Sequence, residues 1–191
     1  MRKLKMEVPI GVTKRLQRVL FEEIPKLDER TPKEVVALIY KTVDYYYQKV
    51  VAKEAYCKRG CSWCCRVPVT VTAVEMQYIH DTLGIDAHHL KKGEEKELEP
   101  DGTPCPFLKN GECSIYDSRP FNCRVFASMD DPSNCIDPSN QHLVVSWESN
   151  NGLKLMREYL DYCSAQYPDT AAFADIRHWY GQREIPIKII K

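Results

Sequence analysis

The chain has 191 residues, enough for one ordinary domain with its own hydrophobic core, so disulfides are not needed merely to make it fold. Lys plus Arg number 27 and Asp plus Glu number 27, and this zero net charge gives no overall field to attract nucleic acid or an anionic membrane. No run of about 18 apolar residues and no leader-like apolar segment occurs. The sequence therefore predicts a cytoplasmic protein with no nucleic-acid or membrane partner.

Hydrophobic spacing predicts two N-terminal helices. The first covers residues 12–30. The second follows Thr31, which forms a capping box with Glu34. Its apolar residues recur every three or four positions, at Val36, Ile39, Val43, Tyr46 and Val50. Extending this stripe by one heptad reaches Cys57, so the first cysteine of the chain is expected on the core-facing side of the helix.

A short extended segment and a third helix follow the first group of cysteines. Alternating valines over residues 67–71 predict the extended segment. Thr72 and Glu75 form a second capping box, and a helix over residues 73–83 is expected to end at a glycine. Residues 91–104 are charged and rich in turn formers, which indicates an exposed loop.

A two-residue hairpin is predicted around Asn110 and Gly111, the pair that such turns prefer. In that register Cys113 lies on one face of the ribbon and Cys105 on the other. Either the strand pairing breaks at Pro106 or the two thiols serve different centres.

The remaining pattern completes a mainly α fold. A short helix is expected to carry Cys123, and two supporting helices are predicted over residues 153–166 and 171–180. The fold class is therefore a small, single-domain helical protein over residues 1–191, with a short β-hairpin and a cysteine-rich metal-binding region over residues 57–126.

The segment CKRGCSWCC contains four of the nine cysteines of the chain: Cys57, Cys61, Cys64 and Cys65. An odd number of cysteines leaves at least one thiol unpaired, and disulfides seldom persist in a reducing compartment. The spacing also fits a buried helical stripe of inert cysteines, but Gly60 weakens a helix at this point. Metal binding is therefore the favoured interpretation.

A second group of cysteines supports metal binding, because thiolates at this density are the usual ligands of zinc, iron and iron–sulfur clusters. The second group comprises Cys105, Cys113 and Cys123. A site with four thiolates on Zn²⁺ has a net charge of minus two and needs cations nearby. Candidates are Lys58, Arg59, Arg66, Arg119 and Arg124.

Two further cysteines are treated differently. Cys135 lies in a turn-rich loop, where ligation would anchor the backbone, and as an eighth ligand it would complete two four-thiolate centres. Cys163 shares a helical face with Met156 and Leu160, which favours a buried apolar thiol. The histidines His80, His142 and His178 show no ligand spacing with one another.

The CxxxCxxC spacing also occurs in radical enzymes that use S-adenosylmethionine, where three thiolates leave one iron of a [4Fe-4S] cluster open to substrate. In that superfamily the motif follows a barrel strand and precedes repeated strand and helix units. Here it follows a capped helix, and only 126 residues remain after it.

The complete pattern resembles more closely a cysteine-cluster family of zinc- or iron-chelating proteins with a CxxxCxxCC-type motif. The likeness covers residues 57–126: the first four cysteines, then Cys105-Pro106-Phe107-Leu108, Cys113 with Ile115-Tyr116, Arg119-Pro120, and Cys123-Arg124 with Phe126. This resemblance implies metal chelation by these seven cysteines. It also extends to flagellin lysine methylases, which carry a related cluster.

The expected activity is binding of zinc or iron, the latter including a [4Fe-4S] cluster, with Cys135 as an eighth candidate ligand. A closed zinc site would be structural and would make the chain an interaction module with a protein partner. Iron with an open position or redox activity would indicate electron transfer or a modifying enzyme, including a methylase-like or radical enzyme that uses S-adenosylmethionine.

Overall fold

The computed structural model describes residues 2–4, 6–27, 32–96, 102–136 and 142–181. Within these ranges the fold is mainly α, as predicted. Its α-helices are α1 Ile10–Arg18, α2 Pro32–Tyr46, α3 Ala73–Leu83, α4 Phe121–Val125, α5 Asn151–Ala165 and α6 Ile176–Tyr180. Its strands are β1 Arg2–Lys3, β2 Thr70–Thr72, β3 Leu108–Lys109, β4 Glu112–Cys113, β5 Ala127–Ser128, β6 Leu143–Val145 and β7 Phe173–Asp175.

The first two helices agree with the hydrophobic pattern. α1 starts at Ile10, two residues before the predicted start at residue 12, and the helical path continues through a π-helical turn and a 3-10 turn to Lys26. Residues 28–30 of the predicted helix lie outside the described residues. The predicted stripe of α2 is buried along its whole length, with Val36, Ile39 and Val43 at 0% exposure. Thr31, the predicted capping residue of α2, also lies outside the described residues.

A first hydrophobic core joins α1, α2 and α5. Buried members from these helices include Val12, Leu16, Val36, Ile39, Val43, Tyr46, Leu153, Met156 and Leu160. α2 ends in a π-helical turn, Tyr47–Val51, and the chain then runs to Cys57, which packs partly buried against this core. The expectation that Cys57 would lie on the core side is therefore confirmed, although the helix ends before reaching it.

α3 begins and ends as predicted. Glu75 accepts a hydrogen bond from the Thr72 backbone N–H at 3.0 Å, which is the capping-box contact. Gly84 closes the helix in the left-handed conformation with φ of +66°, which favours glycine at a helix C-terminus.

A second hydrophobic core surrounds an antiparallel pair of strands, β2 and β7, in which Val71 lies opposite Ala174. This pairing corrects the predicted helix over residues 171–180. Residues 173–175 form β7 instead, and helix α6 is restricted to Ile176–Tyr180. The two strands are about a hundred positions apart in the sequence, and their pairing overrides the local helical pattern. Buried backbone N–H and C=O groups need hydrogen-bond partners, and the opposite strand supplies them.

Two small β elements frame the cysteine-rich region. β3 and β4 form the predicted hairpin, with Lys109 opposite Glu112 and both turn residues, Asn110 and Gly111, at positive φ. β6 pairs with β5 in antiparallel and with β1 in parallel orientation.

The predicted loop over residues 91–104 is described at its two ends, where its residues are mostly exposed, and residues 97–101 lie outside the described ranges. Among the described helices, none combines the length and the apolar character needed to cross a membrane.

Candidate metal centre

The CKRGCSWCC segment forms an irregular loop and is not a helix. Gly60 has φ of +93°, a conformation that favours glycine, and Trp63–Arg66 forms a single 3-10 turn. The interpretation of these cysteines as an inert stripe on one face of a helix is therefore wrong. The loop instead turns Cys64 and Cys65 into the interior from adjacent positions.

The backbone of Cys65 is fixed by two distant segments. Its carbonyl accepts a hydrogen bond from the Cys105 N–H at 2.7 Å and another from Arg177 Nη2 at 3.3 Å. Arg177 also donates to the Val67 carbonyl at 3.2 Å and forms an ion pair with Asp175 at 3.0 Å. α6 therefore holds the second half of the cysteine loop in place.

The hairpin resolves the alternatives left open for Cys105 and Cys113. The strand pairing ends at Leu108, whose N–H donates to the Cys105 carbonyl at 2.9 Å in a tight turn through Pro106. This break lets Cys105 leave the far face of the ribbon. Both thiols consequently pack against the second core and line the same pocket.

Cys123 lies on α4, a short helix held at its start by Glu75. The carboxylate Oε1 of Glu75 accepts the Phe121 N–H at 2.6 Å and the Tyr40 hydroxyl at 2.9 Å. Asn122 donates to the Thr70 carbonyl at 2.9 Å. These contacts join α4 to α2, α3 and β2, so the position of Cys123 is fixed from three sides.

One pocket receives the predicted cysteines from both groups. Its volume is about 90 Å³, and seven cysteines line it: Cys57, Cys61, Cys64, Cys65, Cys105, Cys113 and Cys123. Tyr47 from the first core and Phe107, Ile115 and Ile176 from the second contribute apolar walls. The pocket therefore lies where the two cores meet.

Burial dominates the protonation of most of these thiols. It raises the pKa of Cys57 to about 11 and that of Cys105 to about 12, and it places the pKa of Cys123 well above the usual range. The thiols of Cys105 and Cys113 add to the rise at Cys123. Such crowded, desolvated thiols gain most from a cation that replaces their protons.

The adjacent pair Cys64 and Cys65 differs from the other cysteines. The Cys64 thiol donates a hydrogen bond to the Cys65 sulfur, which raises the pKa of Cys64 and lowers that of Cys65. Arg177 and Arg66 lower the pKa of Cys65 further. Cys65 is therefore the thiol in this loop that is best prepared to bind as a thiolate.

Two of the predicted cations are fixed beside the pocket. The Arg119 guanidinium lies 4.0 Å from the Tyr116 ring centroid, and Arg124 is 3% exposed and pairs with Asp44 at 2.5 Å. Both lower the pKa of Cys113 against the larger effect of burial. Of the other predicted cations, Lys58 lines the pocket, Arg59 contacts the Tyr116 ring, and Arg66 is exposed.

Cys135 and Cys163 occupy different surroundings. Cys135 is 3% exposed, and its Sγ lies 3.1 Å from His142 Nε2, beside the pocket and near Cys57 and Cys61. Cys163 lies on α5, partly buried against the first core and outside the lining of the seven-cysteine pocket, in line with its predicted apolar role.

The donor set fits a metal that prefers sulfur, because most available side-chain donors are thiols and the pocket has room for an ion or a small cluster. In the part of the chain that the structure describes, no three His, Cys, Asp or Glu side chains are arranged as a closed metal shell. Ligation therefore requires the thiols to rotate towards a common point.

Residues 56–150 match the family model described as a putative zinc- or iron-chelating domain, CxxCxxCC. These residues form a CxxCxxCC domain. Its first spacing is one residue longer here, since three residues separate Cys57 from Cys61. The matched range includes all eight predicted ligands, and the family description supports metal binding with zinc or iron. No curated protein and no solved structure matches the chain significantly.

The sequence did not indicate the contacts that two residues make with the cysteines. His142 has no ligand spacing with the other histidines, and its partner is Cys135, seven positions earlier. Arg177 lies beyond the matched range and donates to the carbonyl of Cys65, 112 positions away. No sequence pattern near either residue indicates this contact.

Proposed function

We propose that the CxxCxxCC domain binds zinc or iron through the cysteines that line its pocket. The ligands would be drawn from Cys57, Cys61, Cys64, Cys65, Cys105, Cys113 and Cys123, with Cys135 as an eighth. The observation that carries the proposal is the convergence of seven thiols from the CKRGCSWCC loop, the hairpin and α4 on one pocket.

The electrostatic surroundings support the binding of several thiolates. Arg119, Arg124 and Arg177 lie close enough to lower the pKa of individual thiols, and each is fixed by hydrogen bonds to backbone carbonyls. They offset part of the negative charge that four or more thiolates leave around a divalent ion. The domain thus supplies both the ligands and the countercharge.

The size of the pocket favours chelation over catalysis on a small molecule. Its volume of about 90 Å³ is well below the ~300 Å³ at which ordinary small-molecule sites begin. This gives no support to the alternative of an enzyme that holds S-adenosylmethionine beside the cysteines. A closed zinc site would then be structural and leave the outer surface for a protein partner.

Metal analysis of protein purified without oxygen tests the proposal. Zinc gives a colourless protein, whereas an iron–sulfur cluster gives a brown one with visible absorption. Cys61→Ser should contain less metal than the unaltered chain, and the matched control Cys163→Ser should contain as much. The absence of zinc and iron from the unaltered protein after reconstitution would refute chelation.

A further inference from the structure

Cys135 and His142 form a buried pair beside the main pocket. His142 is fully buried and Cys135 is 3% exposed, and Cys135 Sγ lies 3.1 Å from His142 Nε2. Polar side chains at this depth require partners, because a buried donor or acceptor without one has lost its hydrogen bonds to water and gained none in return. A thiol and an imidazole nitrogen that face each other are also two of the commonest zinc ligands.

Asp130 fixes which nitrogen of His142 faces the thiol. Asp130 follows β5 and His142 precedes β6, so the antiparallel register places them opposite each other. Asp130 Oδ1 lies 2.5 Å from His142 Nδ1, and Oδ2 accepts the Leu143 N–H at 2.8 Å. This carboxylate keeps the proton on Nδ1 and leaves Nε2 as an acceptor, the arrangement found behind many metal-binding histidines.

Two more thiols complete the surroundings of this pair. Cys57 and Cys61 are the two thiols that lie close enough to interact electrostatically with Cys135. The Ser128 N–H at β5 donates to Cys57 Sγ at 3.1 Å. In addition, the Trp63–Arg66 turn packs against the Pro132–Ile136 turn, which brings the cysteine loop to the segment that carries Cys135.

We propose that the chain has a separate four-ligand metal site, built from Cys57, Cys61, Cys135 and His142. The proposal rests on metal binding by this domain and divides its ligands into two centres. The other centre would use Cys64, Cys65, Cys105, Cys113 and Cys123. Asp130 is a positioning residue, since it acts on the metal through His142.

Charge and geometry favour this division. Three thiolates and a neutral imidazole leave Zn²⁺ with a net charge of minus one, compared with minus two for four thiolates, which is the better composition where burial is deep. Cys105, Cys113 and Cys65 are the thiols that act most strongly on Cys123, whereas Cys57 and Cys61 are the thiols that act on Cys135. Cys64 lies between the two groups.

The Cys135, His142 and Asp130 arrangement also resembles a nucleophile with its base and orienting carboxylate. A reactive thiol, however, needs a lowered pKa and access to substrate. Burial acts in the opposite direction on Cys135, and its 3% exposure leaves no approach for a substrate. Ligation accounts for the same contacts without these conflicts.

Zn²⁺ and Co²⁺ titrations of the chelator-treated full chain under anaerobic conditions test the proposal. We expect His142→Gln and Cys135→Ser each to lose one metal equivalent, and His178→Gln to lose none. Cys105→Ser should lose metal from the other centre and retain the equivalent that depends on His142. His142→Cys should restore that equivalent and shift the Co²⁺ spectrum towards four-thiolate coordination, which a purely structural histidine would not produce.

Several results would overturn the second site. One is a full metal complement in folded His142→Gln and Cys135→Ser, with folding checked by far-UV circular dichroism. Another is the loss of the same equivalent in Cys105→Ser and Cys135→Ser, which would indicate a single centre. If His142→Gln does not fold, failure of His142→Cys to restore metal refutes the site. Unaltered protein that binds no metal refutes the proposed function as well, so the two failures are distinguishable.

Discussion

The Glu75 carboxylate accepts the backbone N–H of Phe121 at 2.6 Å, and through this contact the start of α3 holds the start of α4. The same side chain, which is fully buried, also accepts the Tyr40 hydroxyl and the Thr72 N–H. A capping residue of one helix is therefore also the anchor of the short helix that carries Cys123.

Glu75→Ala should destabilise the fold strongly. The change leaves four buried donors without their acceptor, the Thr72 hydroxyl included, and breaking such a buried network costs about 3–5 kcal/mol. Urea denaturation of the variant would measure this loss. Glu158→Gln, an exposed change on α5, is the control and should alter the free energy of unfolding by less than about 0.5 kcal/mol. Equal stability of the two variants would contradict the anchoring role.

Arg177→Lys should loosen the cysteine loop. A lysine has one nitrogen in place of the guanidinium that reaches the Cys65, Val67 and Thr103 carbonyls and Asp175, so several hydrogen bonds are lost together. We expect a loss of about 3 kcal/mol in the free energy of unfolding and faster removal of metal by a chelator.

The matched control for this change is Arg66→Lys. Arg66 is exposed and makes a hydrogen bond of 3.3 Å to the Gly102 carbonyl, so its replacement should leave stability nearly unchanged. Thermal unfolding and chelator competition on both variants provide the comparison. Similar effects of the two substitutions would show that the contacts of Arg177 do not hold the loop.

Gly111→Ala and Gly11→Ala should change stability in opposite directions. Gly111 has φ of +81° in the hairpin turn, where a side chain costs about 1–2 kcal/mol. Gly11 lies in the first turn of α1 with open space around it, so alanine there should stabilise by about 0.5 kcal/mol. Differential scanning calorimetry would measure both shifts, and a neutral Gly111→Ala would contradict the turn.

Chelator-treated protein should lose stability as the pH rises above about 8.5. Unfolded thiols ionise near that pH, whereas burial raises the pKa of Cys57 to about 11 and those of Cys105 and Cys135 to about 12. The unfolded chain therefore releases protons first, and the free energy of unfolding falls between pH 8.5 and 12. Urea denaturation at pH 7 and pH 10 would measure this change.

Metal-loaded protein should respond to pH with the opposite sign. Ligating thiolates must be protonated before the metal leaves, so acid removes metal together with the stability that it provides. We expect loaded protein to lose metal and stability as the pH falls below about 6, a range in which the chelator-treated chain has no such transition from its thiols. Identical pH profiles for the two preparations would contradict thiolate ligation.

Local signals were sufficient for several elements of the fold. The stripe of α2, the Thr72 and Glu75 capping box and the Asn110 and Gly111 turn each depend on neighbours within a few positions, and each was predicted correctly. The grouping of cysteines also indicated where the two halves of the pocket come from. Periodicity and turn chemistry act over short distances, which is why they are visible in a single sequence.

Contacts between residues that are far apart in the sequence could not be predicted from the sequence. β7 was predicted as helix because its partner, Thr70–Thr72, is about a hundred positions away. The partners of His142 are set by the register of β5 and β6, and those of Arg177 by the position of the cysteine loop, so neither could be inferred from neighbouring residues. The predictions of a single domain, a cytoplasmic location and no nucleic-acid partner stay predictions.

The contact between Arg177 and Cys65 has a consequence for synthesis on the ribosome. The two residues are 112 positions apart, so at roughly 5–20 residues per second the loop emerges on the order of ten seconds before α6 can stabilise it. During that interval the nascent thiols face oxidants and competing ions without their arginine. Correct folding of the cysteine-rich region therefore depends on how well its thiols are protected from oxidation and from other metal ions until α6 has been synthesised.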